Sequence, residues 1–373
     1  MNEKSNAALT VVFFAAILLI FTIGDLVTAD RTFSENENRM LATKPKLSIE
    51  SLLDGTFMED YETYVTDQFV GRDTWVELKT RGDVLLQKKV INGVYLGEDD
   101  YLIEQHLPQN IKQEDVDKKL ELLKGLVDKY GAKAMLVPTA DNILTDKLPF
   151  EASFYDQRQF LSQAAEVIGE DNLINVYDNL KAHNKEEIYY RTDHHWTTLG
   201  AYYGYLVWKK QAGNMAMETF DPESLFTVTD EFLGTLHSKL NLPHREDKIQ
   251  IFPETMKKTP SVTYDFQTKK DTYYEKKHLD TKNKYGFFLD DNHPFIEIET
   301  GYQRGRELVL IKNSYANCMV PLLANHYDKI YMIDLRYYNG KLSNLVDPYM
   351  TPQTDMLVLY DCIHFIDDFL YYK

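Results

Sequence analysis

Twenty consecutive residues, Ser5 to Gly24, carry no charge, and the stretch Ala7–Ile23 (AALTVVFFAAILLIFTI) is apolar almost throughout. A helix of that length crosses a hydrocarbon core of about 30 Å. A core helix of a water-soluble domain would show a polar face, and this run has none. The segment is therefore expected to be committed to a membrane, leaving the rest of the chain to fold beyond it. Lys4 and the amino terminus flank the run on one side, Asp25 and Asp30 on the other. The positive-inside tendency then puts the body outside the cytoplasm, although Glu3 offsets part of the signal. Cleavage after Val27-Thr28-Ala29 is the competing reading and would make the body secreted. The run exceeds the ~7–15 residues of an ordinary signal core, which favours a retained single-pass anchor in the cell membrane, residues 1–29.

The 373 residues comprise 41 Lys+Arg against 58 Asp+Glu, a formal net charge of −17. Nucleic-acid binding is excluded on that balance, because it requires a basic domain or stripe. With 44 % hydrophobic and 13 % aromatic residues, the body has ample material for a packed core. Cys318 and Cys362 alone can build neither a zinc ribbon nor a disulfide framework, though one bridge between them stays open.

Residues 30–50 are polar and read as a tether, and 51–373 as the functional domain. Phe57, Tyr61, Tyr64 and Val65 recur at helical spacing, Gly71 breaks the pattern, and Trp75, Leu78 and Val84 resume it. Asn92-Gly93 introduces a short hairpin around Gly97. Five apolar runs of four to six residues follow, at Ala134–Val137, Leu173–Tyr177, Leu308–Ile311, Ile330–Ile333 and Met356–Tyr360. Helical stretches separate several of them, at 113–129, 155–168 and Ser314 to about His326. This is the pattern of an α/β sandwich with a mainly parallel sheet, whose function collects in the loops after the strands. Between about 215 and 300, Tyr- and Thr-rich alternation predicts an antiparallel β-rich insertion, forming a lid or groove wall.

Two segments carry chemistry. In Arg191-Thr192-Asp193-His194-His195-Trp196, a carboxylate two residues from an imidazole cannot share a helix face, but both point the same way in an extended turn. Asp193 could then orient His195 as a base. In Leu308–Cys318, a strand, a corner and a helix start put Ser314 at the turn, where backbone N–H groups could stabilise an oxyanion. Each has a plainer reading. Ser314 could be only a helix cap. Asp193-His194-His195 could be half of a metal site, although adjacent histidines diverge and no third ligand has suggestive spacing. His194 reads as structural. Asp193, His195 and Ser314 together suggest an Asp–His–Ser hydrolase or transferase.

The stretch RTDHHWTTLGAYYGY resembles the signature of the DHHW family, extracytoplasmic proteins of Gram-positive bacteria. FSENENRMLATKP, DQFVGRD and KNSYANCMVPLLANHYDKIYMIDLRYY fit the same family. That family is similar to the SGNH-hydrolase-like proteins that O-acetylate alginate, which carry an Asp-x-His-Trp segment and, later, a serine after a strand. The resemblance implies a three-layer α/β/α sandwich with Asp193, His195 and Ser314 as the catalytic residues. It implies transfer of acetyl through an acyl-serine to hydroxyls of a cell-surface or secreted polysaccharide. No cofactor and no metal are expected for this chain, and acetyl-CoA is not expected outside the cell, so the donor implied by the resemblance is a membrane-bound O-acyltransferase partner. Backbone N–H groups of Ser314 and Tyr315, with the amides of Asn142 or Asn317, are the implied oxyanion donors. Arg191, Trp196, Tyr315 and Arg336 are candidates for an acceptor groove, with core packing and ion pairing as their plainer roles. An esterase that accepts water, or a non-catalytic polysaccharide-binding scaffold, are the alternatives.

Overall fold

The computed structural model describes residues 3–34, 36, 39–212, 220–338 and 340–369. Residues 1–2 of the predicted anchor, 35 and 37–38 of the predicted tether, 215–219 of the predicted insertion, and 339 and 370–373 of the predicted domain lie outside the described residues. Two compact units emerge, Met1–Lys88 with Ser238–Pro243, and Lys89–His237 with His244–Lys373.

In the first unit, helix α1 (Glu3–Val27) contains the apolar run. Its residues Asn6–Val27 have a mean hydropathy of 2.6 and none of that span is buried, so by length and composition it is able to cross a membrane. The segment expected as a tether is partly folded. Phe33–Ser34 pairs antiparallel with Arg39–Met40, and the buried Asp67 carboxylate accepts from the Arg39 guanidinium and the Ala42 N–H. Helices Thr56–Gln68 and Arg72–Leu85 follow. They part at Gly71, whose φ of 67° lies in the left-handed region that favours glycine.

The second unit is built on seven strands: β1 (Lys133–Val137), β2 (Ser261–Tyr264), β3 (Thr268–Lys270), β4 (Phe295–Glu299), β5 (Glu307–Lys312), β6 (Lys329–Ile333) and β7 (Thr354–Asp361). They lie in the order β3-β2-β4-β6-β5-β7-β1. The four strands β6, β5, β7 and β1 are parallel to one another. The other three are added antiparallel, so the sheet is mixed rather than mainly parallel. The physical reason is an edge. Strand β6 would otherwise expose a row of unpaired N–H and C=O groups. Strand β4 covers it in a register that sets Ile296 against Met332 and Ile298 against Ile330. The predicted antiparallel insertion is real in hydrogen bonding, but its strands β2–β4 extend the main sheet, while Phe226–Phe232 and Asp247–Ile251 form a separate hairpin.

Two sequence expectations fail for local reasons. Leu173–Tyr177 makes one bridge, Ala134 to Leu173, and then turns, because Asn175 accepts the Tyr177 N–H and starts a helix there. The helix expected from Ser314 to His326 is broken into short pieces, with Pro321 in the first turn of its α-helical part.

Alternate side chains of β5 enter two apolar layers. Leu308 and Leu310 join the cluster containing helix α4 (Thr198–Gln211) through Ala201, Tyr205 and Trp208. Val309 and Ile311 join the opposite cluster with α2 (Gln113–Tyr130), α3 (Gln157–Ile168) and α5 (Cys362–Asp368). Helices thus cover both faces, and the carboxyl ends of β1, β5 and β7 share one edge. On α4, Gly204 lies against the Trp196 ring, where an added Cβ would come within 2.8 Å.

Leu310 sits mid-strand and fully buried. Leu310→Ala is expected to cost about 2–5 kcal/mol in chemical denaturation. A loss well under that range would mean the layer beneath β5 is looser than described.

Candidate active site

Ser314 lies where β5 leaves the sheet, and the corner is fixed from both sides. The Asn313 N–H still donates to Leu359 O at 3.2 Å, continuing the ladder with β7. Its side-chain oxygen accepts the Tyr315 N–H at 3.1 Å and caps the following 3-10 turn. Its Nδ2 donates to Asp361 Oδ2 at 2.6 Å. Asp361 also caps α5 by accepting the N–H groups of Ile363 and His364. Among the described residues, no acceptor meets the Ser314 N–H.

The Asp-His-His segment forms a tight reversal closed by a Tyr189–Trp196 bridge and by the Tyr190 N–H donating to His195 O. Within it, Asp193 Oδ1 is 2.5 Å from His195 Nδ1 and accepts the His195 N–H at 3.0 Å. His195 Nε2 is 2.7 Å from Ser314 Oγ. With the ring proton on Nδ1, Nε2 faces the serine as an acceptor. Asp193 Oδ2 accepts the N–H and hydroxyl of Thr235 at 2.8 and 3.0 Å. The face of the His195 ring stacks on Tyr285 at 3.9 Å and 11°, and Tyr285 donates its hydroxyl to Ser314 O at 3.2 Å.

Burial disfavours the Asp193 charge, yet His194, His195 and the Thr235 donor outweigh it and hold the carboxyl far below the usual range. Burial and the neighbouring His195 lower His194 to about 4, so that ring is neutral, donating from Nδ1 to Thr235 Oγ1 at 2.7 Å. Asp193, His194 and His195 each offer a ligand atom within 4.8 Å of the others. A metal ion there would have to displace the bonds to Thr235 and between Asp193 and His195.

The remaining predicted residues are mostly occupied with building this corner. Tyr315 is fully buried and donates its hydroxyl to His194 O at 2.5 Å, while Trp196 Nε1 donates to Tyr315 O at 2.8 Å. These two bonds tie the Asp-His-His turn to the serine corner, and Trp196 has no exposed face for a ligand. Asn142 spends both amide hydrogens on Asp141 and Tyr155, and its oxygen accepts from Gln157. The Asn317 oxygen accepts from Lys312, and its nitrogen donates to Asp291 O at 3.4 Å. Arg191 stacks on Tyr101 and pairs with Glu187. Arg336 forks onto Asp334.

Several neighbours carried no sequence signal. Tyr285 and Thr235 lie far along the chain from the motif, and nothing in their spacing points back to it. Lys312 is fully buried, with its ammonium bonded to Asn317 and Asn292 and 3.3 Å from Asp334. His106 and His364, paired with Asp141 and Asp361, flank a cavity of about 10 Å³ beside His194 and Tyr315, room for about one water.

Burial opposes charge on His106, but Asp141 at 2.9 Å outweighs it and raises the ring to about 10. Asp361 at 2.8 Å raises His364 to about 9 against the opposing effect of burial. Rings that titrate near pH 6.5 when unfolded add their full stability below that pH and lose it as pH rises through 9 to 10. The melting temperature of the full chain in detergent should therefore fall across that window, and less steeply in His364→Gln. A midpoint constant to pH 10 would refute the pairing. Separately, a Cβ on Gly234 would lie 2.3 Å from Asp193 Oδ2. Gly234→Ala should destabilise by about 1–3 kcal/mol, read by denaturant titration.

A family profile described as DHHW protein matches residues 92–333. The probable alginate O-acetylase AlgJ of Pseudomonas putida is 26 % identical over 228 residues, 56 % of this chain and 57 % of that protein. The chain thus spans little more than half the length of the curated relative it matches. Among solved structures, a DHHW family protein from Eubacterium siraeum superposes with a TM-score of 0.60 at 22 % identity, over 74 % of this chain and 93 % of that one. Bacillus cereus PatB1 does so with a TM-score of 0.60 at 20 % identity, over 74 % and 98 %. These are likenesses of fold. The profile covers well over half of the sequence and includes Asp193-His194-His195-Trp196, and the chain belongs to the DHHW family.

Proposed function

We propose that this chain is a membrane-anchored, extracytoplasmic O-acetyltransferase that passes acetyl through Ser314 to hydroxyls of a polysaccharide. The observation that carries the reading is the continuous hydrogen-bonded line from Asp193 through His195 to Ser314, at 2.5 and 2.7 Å. Its placement at the carboxyl edge of a mixed sheet covered on both faces supports an SGNH-like three-layer architecture. A curated relative named as an alginate O-acetylase supports both the transferred group and the acceptor class. Helix α1 supports the anchor.

In this reading, His195 Nε2 takes the Ser314 hydroxyl proton as Oγ attacks the donor carbonyl. The Ser314 N–H, which meets no acceptor among the described residues, binds the developing oxyanion. Collapse expels the donor's leaving group, which takes the proton from His195, and leaves an acetyl-serine ester beside a neutral ring. A sugar hydroxyl then attacks that ester, giving its proton to His195, which returns one to Ser314 Oγ. Asp193 keeps the ring in the Nδ1–H tautomer and stabilises the imidazolium that forms twice per cycle. A membrane-bound O-acyltransferase fits the donor role, since the acetyl group must reach the outer face already activated. The buried, fully bonded amide of Asn142 argues for a scaffolding role, Asn317 Nδ2 makes one donated bond, to Asp291 O at 3.4 Å, and Arg191 and Arg336 are paired with Glu187 and Asp334.

Intact-protein mass spectrometry after incubation with an activated acetyl ester tests the reading. One acetyl adduct should map to Ser314 and be absent in Ser314→Ala and His195→Ala. Asp193→Asn should slow its formation on the order of 10³–10⁴-fold. Added polysaccharide should discharge it faster than water does, and discharge by water alone would make the enzyme an esterase. An adduct that persists in Ser314→Ala overturns the assignment.

A further inference from the structure

Phe21 of α1 lies within the apolar span, yet it packs against the helices that follow the span. Its ring centroid is 5.4 Å from that of Phe69, stacked at 25°, and 5.7 Å from that of Trp75. Gly24 meets Val70 so closely that an added Cβ would lie 3.1 Å from Val70 Cγ1, and the Val70 N–H donates to Asp25 Oδ1 at 2.8 Å. Phe21 precedes the end of the span at Val27 by about 9 Å of helix axis, at 1.5 Å per residue. With Asn6–Val27 filling the hydrocarbon core, the turn Phe69-Val70-Gly71 cannot stand clear of the bilayer.

The helix that leaves this turn, Arg72–Leu85, carries a largely exposed apolar stripe, of which Trp75 is partly covered by Phe21 of α1. Trp75, Leu78, Leu85 and Leu86 fall on one helical face, and they are 45 %, 57 %, 84 % and 73 % exposed. The other side of the helix holds the buried Thr80 and Asp83, the latter paired with Lys79 and Lys88. A largely exposed stripe beginning at a residue already in contact with the membrane span has one continuous apolar phase available to it.

We propose that helix Arg72–Leu85 lies in the outer-leaflet interface with the Trp75–Leu78–Leu85–Leu86 stripe turned to the acyl chains, the bilayer being the occupant of this face. The proposal rests on the anchor reading of α1. Arg31, paired with Asp73 at 2.8 Å, and Tyr64, donating to Asp30, supply the polar level above the stripe. Trp and Tyr at such a level are the side chains that favour the membrane interface. The chain would thus be held by a span and by a surface helix, which fixes the rotation of α1 about its own axis.

The test uses the full chain in phosphatidylcholine vesicles, checked by flotation. Trp196 and Trp208 are buried, so quenching of tryptophan emission by brominated lipid reads Trp75 in the unmodified protein. Environment-sensitive dyes are placed at Leu78→Cys, at Leu85→Cys and, on the other side of the helix, at Val84→Cys. The native Cys318 and Cys362 are buried and do not compete for label. The expected result is flotation, quenching of Trp75, and several-fold brighter, blue-shifted dyes at 78 and 85 but not at 84. Flotation with an unquenched Trp75 and water-exposed dyes at 78 and 85 overturns the surface helix and leaves the anchor intact. Dyes that are shielded but insensitive to brominated lipid overturn it in favour of a protein partner. Failure to float removes the anchor and the surface helix together.

Discussion

Each parallel strand of the sheet ends in, or next to, a polar group that water cannot reach, and satisfying those groups shapes everything around the serine. Lys312 closes β5, Asp334 follows β6, Asp361 closes β7 and Asp141 lies just beyond β1, all of them fully buried. A lone charge in such a place costs several kcal/mol, so each recruits donors or acceptors from neighbouring loops. Asp361 takes the Asn313 amide and two helix-start N–H groups. Lys312 gathers Asn292, Asn317 and Asp334, and Asp334 gathers Arg336. The loops that would ordinarily be the most mobile part of an α/β protein are therefore stitched to one another, and Ser314 sits in the middle of the stitching.

Preorganisation on the other side comes from a different source. The Asp193–His195 turn is short and carries its own carboxylate, so burial alone would tend to neutralise it. Two Thr235 donors and the backbone and ring N–H groups of His195 keep it ionised, and the flat face of Tyr285 fixes the ring plane of His195. The orientation of the His195 ring is thus set by the buried Asp193 and Tyr285 with the half-buried Thr235 behind them, an arrangement that holds the ring without reorganisation.

Much of this was legible in the sequence. An Asp two residues before a His, outside any helical rhythm, and a Ser after an apolar run are local patterns, and both survive folding. Strands Ala134–Val137, Leu308–Ile311, Ile330–Ile333 and Met356–Tyr360 were legible because parallel strands buried on both faces are continuous apolar runs. What local pattern cannot carry is pairing. Strands β2 and β4 alternate like any half-buried strand, and nothing in them says that they extend the main sheet from the edge of β6 rather than form their own sheet. Tyr285 was hidden for the same reason, since its role depends on where a distant loop is delivered. The helix expected after Ser314 failed through an apolar rhythm that Pro321 does not permit to run as one helix.

The Trp196–Tyr315 and Tyr315–His194 bonds join segments separated by about 120 positions in the chain. Contacts of such sequence separation close late, after the entropy of a long loop has been overcome. His195 and Ser314 therefore meet only through long-range tertiary contacts, and a partly folded chain holds the serine with no imidazole beside it. The hydrogen-bonded line through Asp193, His195 and Ser314 is in this sense a property that matures with tertiary structure, absent from the chain until its distant segments are brought together.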